Sequence, residues 1–310
     1  MKVAQINKFG NFDVIEIVDI KKPKPTKGQI LVKVFASSIN PFDIKIREGI
    51  IPNMKFPFTL GSDVAGVVTE IGEEVLGFDV GNKVYGQGIV LAGASGAFAE
   101  FVVASADNIA RMPKNLDFKQ GAAMVLVGVS AAQAIIEHFN LQPYQKILIH
   151  GGSGGIGTIA IQLAKYIGAH VATTTTGDGI NYVKKLGADE VIDYKNQNFE
   201  EILLNYDAVF DTVGGEFYKK SFKVLKQGGI IVSMVEKDNE NFREKYSVTT
   251  INQMTKVNKE NLEKLTKFIE ENNIMPCIDK IYSFDKIKEA FDNKEKENVI
   301  GKIVIEIINN

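Results

Sequence analysis

The chain has 310 residues, of which 45% are hydrophobic, so it is long enough for two domains with their own cores. A formal net charge of −2, with no lysine or arginine block, argues against a nucleic-acid partner or an anionic membrane surface. The single cysteine, Cys277, excludes an intrachain disulfide and a cysteine-rich metal site.

The chain begins with MKVAQINKFG, which lacks the long apolar core of a signal peptide. No uninterrupted apolar stretch approaches the ~20 residues that are needed to span a bilayer. We therefore expect a soluble protein of the cytoplasm, with reduced thiols and no membrane partner.

Residues 1–110 are predicted to form a β-rich domain. Short strand-like runs are separated by glycine, proline and charged turns, and they include VIEIVDI, QILVKVFASSI and AFAEFVVA. Such spacing is typical of a barrel. An alanine-rich helix follows, and Asp117 is a suitable N-cap for it.

From residue 146 to 235 the pattern alternates between strands and helices, which predicts a parallel, doubly wound sheet. The segment 236–258 is polar, and we expect it to be irregular. An amphipathic helix, NLEKLTKFIEENN, comes next. The tail is predicted as strand, helix and strand, and we expect it to rejoin the first domain. These boundaries give one domain of residues 1–116 and 265–310 and a second of residues 117–264.

The most specific motif lies between the strand KILIH and a predicted helix over 155–167. Gly152, Gly154 and Gly157 fit G-x-G-x-x-G, the dinucleotide-binding pattern. The first glycine allows the tight turn, the second lets backbone approach a pyrophosphate, and the third lets the helix pack closely on the sheet. The phosphates are expected at the N-terminus of the helix. The alternative is a glycine-rich turn that binds no ligand.

The end of the next strand indicates which dinucleotide is bound. An NAD site places an acidic residue about 20 residues past the glycines. Here that position falls within residues 173–176, which are four threonines. Thr174 and Thr175 leave room for a 2′-phosphate and can donate to it, so NADP(H) is favoured over NAD(H). Two observations leave the choice open, since Asp178 could repel a phosphate and threonine is also a good strand former.

The order of the parts, together with several motifs, resembles the medium-chain dehydrogenase/reductase family. The similar segments are SSINPFDIKIREG, FPFTLGSDVAGVVTEIG, ILIHGGSGGIGTIAIQLAKYIGAHV, LGADEVIDY and the terminal GKIVIEI. The resemblance implies an α/β fold: a Rossmann-type doubly wound parallel sheet plus a GroES-like β-barrel domain. It also implies a substrate pocket in the cleft between the domains, with walls from the loops 47–56, 87–95 and 240–258.

Zinc alcohol dehydrogenases of this family take their catalytic ligands from a cysteine in the first loop, from a Gly-His-Glu motif and from a later cysteine. The corresponding residues here are Asn40 and Gly61-Ser62-Asp63, and no cysteine precedes Cys277. We therefore expect no metal site, and structural roles for the three histidines.

The loop from Asn40 to Lys45 resembles the quinone oxidoreductase and enone (alkenal) reductase branch. In that branch the asparagine lies at the nicotinamide site and the lysine contacts the nicotinamide ribose. The resemblance implies catalytic roles for Asn40 and Lys45, while Asp43 orients the loop. Many quinone reductases have tyrosine in place of Lys45, which favours enones. Alternatively, Asn40 is only a turn residue and Lys45 only a solvated charge.

The resemblance also implies further cofactor contacts. Tyr194 matches a tyrosine that contacts the 2′-phosphate, Val129 and Val235 border the nicotinamide, Val213 flanks the adenosine, and Lys302 approaches from the tail. With the glycine loop, the predicted cofactor-binding residues are Gly152, Ser153, Gly154, Gly155, Ile156, Gly157, Thr174, Thr175, Tyr194, Val213, Val129, Val235 and Lys302.

These features predict an NADPH-dependent oxidoreductase that transfers hydride, without zinc, to a small-molecule quinone or α,β-unsaturated carbonyl compound. Charge builds up on the distal oxygen, where the Asn40 amide or a ribose hydroxyl held by Lys45 could stabilise it. The proton could come from water. The alternative is a non-catalytic NADPH-binding sensor or structural protein of the same fold. The branch often forms homodimers.

Overall fold

The structure of the protein is a computed structural model that describes residues 1–52, 54–237 and 240–308. Residues 1–126 and 257–310 form one compact unit, the first unit, and residues 127–256 form the second unit. The first boundary falls inside helix Phe118–Ala132, after the expected residue 116. The second lies before the expected residue 265, since Tyr85 of the first unit donates a 2.8 Å hydrogen bond to the Leu262 carbonyl.

The helices and strands follow in chain order. Up to residue 132 they are β1 (Lys2–Ile6), β2 (Glu16–Asp19), β3 (Gln29–Ser38), α1 (Pro41–Arg47), β4 (Phe58–Thr59), β5 (Asp63–Ile71), β6 (Lys83–Gln87), β7 (Phe101–Ser105), β8 (Ile109–Arg111) and α2 (Phe118–Ala132). From 133 to 256 they are β9 (Lys146–His150), α3 (Gly155–Ile167), β10 (His170–Thr175), α4 (Gly179–Lys185), β11 (Glu190–Asp193), α5 (Phe199–Ile202), β12 (Tyr206–Asp211), α6 (Glu216–Ser221), β13 (Leu225–Ser233), α7 (Glu240–Tyr246) and β14 (Thr249–Asn252). The last are α8 (Lys259–Asn272), β15 (Ile278–Ser283), α9 (Ile287–Lys296) and β16 (Lys302–Glu306).

The first unit contains two sheets. The larger has the order β15-β16-β3-β5-β6-β8, with β7 paired to β3, and the smaller has the order β2-β1-β4. Strand β16 is antiparallel to β3 and places Val304 opposite Ser38. The tail of the chain therefore rejoins the first sheet, as predicted. Because β5 is also antiparallel to β3, the starts of β5 and β16 both lie beside the end of β3.

The second unit contains one six-stranded sheet of order β11-β10-β9-β12-β13-β14. Among the described residues its neighbouring strands all pair in parallel, which confirms the predicted doubly wound sheet. The expectation that 236–258 is irregular was wrong, because α7 and the sixth strand, β14, lie there. The four-residue run TTIN is too short to stand out in sequence, and pairing with β13 makes it a strand. Residues 238–239 of this segment lie outside the described residues.

Each unit has its own hydrophobic core, as the chain length suggested. The core of the first unit includes Val32, Val64 and Phe291, and that of the second includes Leu148 and Phe222. The Asn40 region of the first unit and the glycine loop of the second unit lie at strand ends, next to these cores.

Helix α2 continues as a π-helix over Gln133–His138. The combined stretch Phe118–His138 is long and apolar enough to cross a membrane, contrary to the expectation from sequence. Its 18-residue apolar window is 72% buried within the protein. Core helices of soluble proteins have the same length and composition, so this stretch is weak evidence for a membrane span. Asp117 caps its start as predicted, since its Oδ1 accepts a 2.8 Å hydrogen bond from the Gln120 backbone N–H.

Candidate functional site

Helix α1 begins directly after Asn40, which has extended backbone angles (φ −115°, ψ 152°). Pro41 occupies the first helical position, where its missing N–H and fixed φ are tolerated. The Asp43 carboxylate reaches back to the Asn40 backbone N–H at 2.8 Å, and its other oxygen accepts a 2.9 Å hydrogen bond from the Ser62 hydroxyl. Asp43 therefore orients the loop, as expected from its place in the sequence.

The side chain of Asn40 lies in a buried polar cluster of the first unit. Its Nδ2 donates to Asp63 Oδ2 at 2.7 Å, and its Oδ1 accepts from Lys302 Nζ. The Ser38 hydroxyl also donates to Asp63 Oδ2, at 2.6 Å. Asn40 is 1% exposed. The cluster forms because Asp63 opens β5 and Lys302 opens β16, and both strands flank the end of β3.

Burial dominates the electrostatics of this cluster. It raises the pKa of Asp43 to about 7, against the lowering effect of the hydrogen bond from Asn40. It lowers the pKa of Lys302, an effect that the charges of Asp63 and Asp43 oppose. Removing either partner of the Lys302–Asp63 pair would leave a buried charge uncompensated.

Lys45 is not part of the cluster. It lies on the exposed side of α1, whereas Asp43, Ile46 and Arg47 of the same helix are buried. Its predicted contact with a nicotinamide ribose stays a prediction.

The glycine loop of the second unit has the predicted local geometry, with one correction. The left-handed residue of the turn is Gly151, at φ +70°, rather than Gly152. Gly152 must lack a Cβ because that atom would lie 1.9 Å from Thr173 Oγ1. A Cβ on Gly157 would lie 2.3 Å from the Gly151 carbonyl oxygen, so the third glycine does allow the helix to pack closely. At Gly154 the nearest atom is 3.2 Å away.

The N-terminus of α3 fits a dinucleotide phosphate. The helix starts at Gly155 with Gly154 as N-cap, and no side chain caps it. The first backbone N–H groups of a helix have no intrahelical acceptor, and together with the helix dipole they favour an anion. Ser153, Gly155 and Ile156 belong to this turn, so the residues predicted for the pyrophosphate lie together.

The threonines of β10 have partners within the protein. Thr174 Oγ1 lies 3.0 Å from His150 Nδ1, and Thr175 Oγ1 donates to Ser153 Oγ at 2.8 Å. Both threonines are buried. Their hydroxyls therefore join the strand to the glycine loop, and their direct contact with a 2′-phosphate stays a prediction. His150 is buried and contacts Ser221 as well, so its role is structural.

Tyr194, which was predicted to contact the 2′-phosphate, has 42% of its surface exposed. Its ring packs edge-on against Phe217, with centroids 5.7 Å apart. A cavity of about 130 Å³ is lined by Tyr194, Phe217 and Lys220, among others. The side chain of Tyr194 is therefore accessible to a ligand.

Two residues that sequence reasoning missed hold the loops after β12 and β13. Asp211 Oδ1 accepts hydrogen bonds from the backbone N–H groups of Val213 (3.0 Å) and Gly214 (2.8 Å). The Ser233 hydroxyl donates to Asp211 Oδ2 at 2.7 Å and accepts from the Val235 N–H at 3.2 Å. Both stand at the carboxyl end of a parallel strand, which is the signal that could have identified them.

The three valines predicted to border the cofactor differ in exposure. Val213 is 48% exposed and Val235 is 49% exposed, so a ligand can contact both. Val129 on α2 is 1% exposed and packs as a core residue, which makes it the weakest of the predicted contacts.

In residues 1–52, 54–237 and 240–308, no group of three or more His, Cys, Asp or Glu side chains could hold a metal ion.

Comparison with known proteins identifies the family. Residues 26–114 match the Alcohol dehydrogenase GroES-like domain, and residues 186–305 match the Zinc-binding dehydrogenase family. The chain is 35% identical to 2-methylene-furan-3-one reductase of Solanum lycopersicum, over 98% of this chain and 79% of the relative. The chain belongs to the medium-chain dehydrogenase/reductase family. This membership confirms the resemblance and the expected combination of a GroES-like domain with a Rossmann-type sheet.

Other members of the family are similar over the same length. NADPH-dependent alkenal/one oxidoreductase, chloroplastic, of Arabidopsis thaliana is 32% identical over 98% of this chain and 79% of the relative. The structure of the quinone oxidoreductase from Coxiella burnetii superimposes with a TM-score of 0.90, at 32% identity, and covers 99% of both chains. The similarity therefore extends through both units.

Proposed function

We propose that the protein is an NADPH-dependent oxidoreductase that transfers hydride to a quinone or an α,β-unsaturated carbonyl compound without zinc. The observation that carries the proposal is the buried Asn40 amide. It stands where zinc dehydrogenases have a cysteine ligand, and Asp63 and Lys302 hold it by hydrogen bonds. The names of the relatives, 2-methylene-furan-3-one reductase, NADPH-dependent alkenal/one oxidoreductase and quinone oxidoreductase, support the same reaction class.

NADP(H) binds on the glycine loop of the second unit in this proposal. The backbone of residues 152–157 holds the pyrophosphate, and Tyr194 contacts the 2′-phosphate. Val213 and Val235 border the bound dinucleotide. The cofactor supplies the hydride, and the protein supplies its binding and orientation.

The acceptor binds at Asn40, whose Nδ2 carries one proton beyond that given to Asp63. That proton is directed at the oxygen on which charge develops when hydride adds to a conjugated carbonyl. Lys45 orients the nicotinamide ribose, and water protonates the product. The loops 47–56 and 87–95 of the first unit form walls of the acceptor pocket, and residue 53 of the first of them lies outside the described residues.

A second candidate is a non-catalytic NADPH-binding sensor or structural protein. It is favoured by the burial of Asn40, which is 1% exposed and has both ends of its amide bonded within the protein. In that case the Asn40 cluster only stabilises the first unit.

A measurement of NADPH turnover distinguishes the reductase from the non-catalytic protein. Purified protein is mixed with NADPH and a panel of 1,4-quinones and 2-alkenals, and loss of NADPH absorbance is followed, with metal analysis of the same sample. We expect turnover by protein that contains no stoichiometric zinc. Tight NADPH binding without turnover on either class of acceptor would support the sensor, and activity that requires zinc would contradict the proposal.

The proposal includes the cellular location and the oligomeric state of the enzyme. The family has a soluble fold, and we propose a cytoplasmic homodimer that acts on small molecules. Light scattering after gel filtration tests the dimer, and cell fractionation tests the location.

A further inference from the structure

Lys302 was predicted to contact the cofactor, but its ammonium group already has protein acceptors. Nζ donates to the Ile39 carbonyl at 3.1 Å, to Asn40 Oδ1 and to Asp63 Oδ2 at 3.3 Å. A lysine ammonium has three protons to donate. These three acceptors use all three protons, so the ammonium group has none left for a ligand. Lys302 is also buried, with 4% of its surface exposed.

The Asn40 amide is held in a single orientation by the same contacts. Its oxygen faces the Lys302 ammonium, and its nitrogen faces the Asp63 carboxylate. A flip of the amide would turn its NH₂ group toward a cation and its oxygen toward an anion. Both hydrogen bonds are charge-assisted and buried, and bonds of this kind are about twice as strong as neutral ones.

Asp63 is fixed in turn by its neighbours. Its Oδ2 accepts from Ser38 at 2.6 Å as well as from Asn40 and Lys302, and its backbone carbonyl accepts from the Ser37 hydroxyl at 2.7 Å. The carboxylate therefore cannot turn away without leaving several buried donors unpaired.

We propose that Lys302 and Asp63 are positioning residues of the reductase, which fix the Asn40 amide so that one Nδ2–H is directed at the acceptor's carbonyl oxygen. This inference rests on the proposed function. Lys302 acts through Asn40 and contacts neither cofactor nor acceptor.

The kinetic test is a double-mutant cycle of Lys302→Met and Asn40→Ala. We expect Lys302→Met alone to lower kcat by at least about tenfold, equal to 1.4 kcal/mol, with the Kd of NADPH changed less than about twofold. In the Asn40→Ala background the same substitution should have almost no further effect on kcat, because residues that act as a unit are not additive. Equal losses in both backgrounds would overturn the proposal.

Lys119→Met is the matched control. Lys119 also forms an ion pair with strand β16, at 2.8 Å from Glu306, but it does not contact Asn40. We expect its kcat to stay within about twofold of the unmodified protein, since this ion pair is partly exposed and surface ion pairs contribute about 0–1 kcal/mol. An equal loss in both lysine variants would contradict a specific role for Lys302.

Lys302→Met leaves Asp63 without its buried cation and could prevent folding. The variant Asp63→Asn/Lys302→Met removes both charges and keeps an acceptor oxygen at position 63. The same fall in kcat and the same lack of additivity with Asn40→Ala are expected. Unchanged kcat in this folded variant would overturn the proposal.

A readout that needs no turnover separates this inference from the proposed function. The side-chain ¹⁵N–¹H signals of Asn40, assigned by their loss in Asn40→Ala, should exchange slowly with solvent. In Asp63→Asn/Lys302→Met they should exchange faster, while those of Asn115, which bonds the Ile269 carbonyl in the same unit, stay unchanged. Unchanged Asn40 exchange contradicts the inference, whereas an unmodified protein with slow Asn40 exchange but no reductase activity contradicts only the proposed function.

Discussion

Gly157 lies so close to Gly151 that a Cβ atom on Gly157 would be 2.3 Å from the Gly151 carbonyl oxygen. Carbon and oxygen atoms that are not bonded do not approach so closely, and the nearest group is backbone, so a side chain at 157 must displace the turn. The start of α3 can therefore pack against the loop from Gly151 to Gly154 only because residue 157 has no Cβ atom.

Gly157→Ala is therefore expected to distort the loop. Overpacking of this kind costs about 1–3 kcal/mol, which lowers the Tm by about 2–4 °C per kcal/mol, and NADPH affinity should fall by about tenfold or more. Calorimetry of unfolding and NADPH titration measure the two effects.

Gly154→Ala is the matched comparison. A Cβ there meets only the Gly151 oxygen, at 3.2 Å, so the Tm should change little. NADPH affinity should still fall, because the methyl group occupies the side that the pyrophosphate approaches. A Gly154→Ala protein that binds NADPH normally would show that the phosphates lie elsewhere.

The cofactor preference can be tested at Asp178. We expect NADPH to bind at least about tenfold tighter than NADH, a difference of 1.4 kcal/mol. Asp178 is exposed directly before α4, and we expect its negative charge to oppose a bound 2′-phosphate. Asp178→Asn should tighten NADPH binding a few-fold and leave NADH binding unchanged, as measured by calorimetric titration of both nucleotides at low salt. Equal affinities for NADPH and NADH in the unmodified protein, or tighter binding of NADH, would contradict the assignment of NADP(H).

Asn40→Ala is expected to lower turnover while NADPH affinity stays nearly constant. Removing one preorganised donor to a developing oxyanion costs about 10²–10³ in kcat where the donor is fully effective, and we expect a fall of at least tenfold here. Steady-state kinetics with an enone and NADPH titration measure the two quantities. Unchanged turnover would mean that the acceptor does not meet Asn40.

Local patterns predicted most of the second unit, because strands and helices there alternate with clear periodicity and a glycine motif. The bounds of α3 agree with the prediction, 155–167. Strand β14 could not be predicted, since it depends on pairing with β13 rather than on its own four residues.

The candidate site of the first unit was predicted only in part. Asn40 stands out because it precedes Pro41 in a loop that resembles a known branch. Lys302 was predicted as a cofactor contact, but its hydrogen bond to Asn40 was not, because the two residues are 262 apart in sequence and meet only through the strand order β16-β3-β5. Long-range strand order is not encoded in local periodicity. For the same reason the partners of Thr174 and Thr175 could not be read from their own strand.

We expect the free energy of unfolding to depend on pH because His150 is buried. Burial lowers its pKa to about 3, from an ordinary value of 6.5. Above pH 6.5 the imidazole is neutral in both the folded and unfolded states, and the free energy of unfolding is independent of this group. As the pH falls from 6.5 toward 3, the unfolded chain binds a proton that the folded protein does not, so stability is lost by up to about 1.4 kcal/mol per pH unit.

Substitution of His150 should remove this part of the pH dependence. We expect His150→Asn to be less stable at neutral pH, because contacts with Thr174 and Ser221 are lost, but to lose stability less steeply on acidification. Urea unfolding at about pH 7, 6 and 5 measures the slopes. His170→Asn, at a partly exposed histidine that contacts Glu190 on the same sheet, is the control and should keep the steep slope between pH 6 and 5 that is due to His150. If His150→Asn and the unmodified protein lose stability in parallel, the imidazole of His150 is not kept neutral by burial.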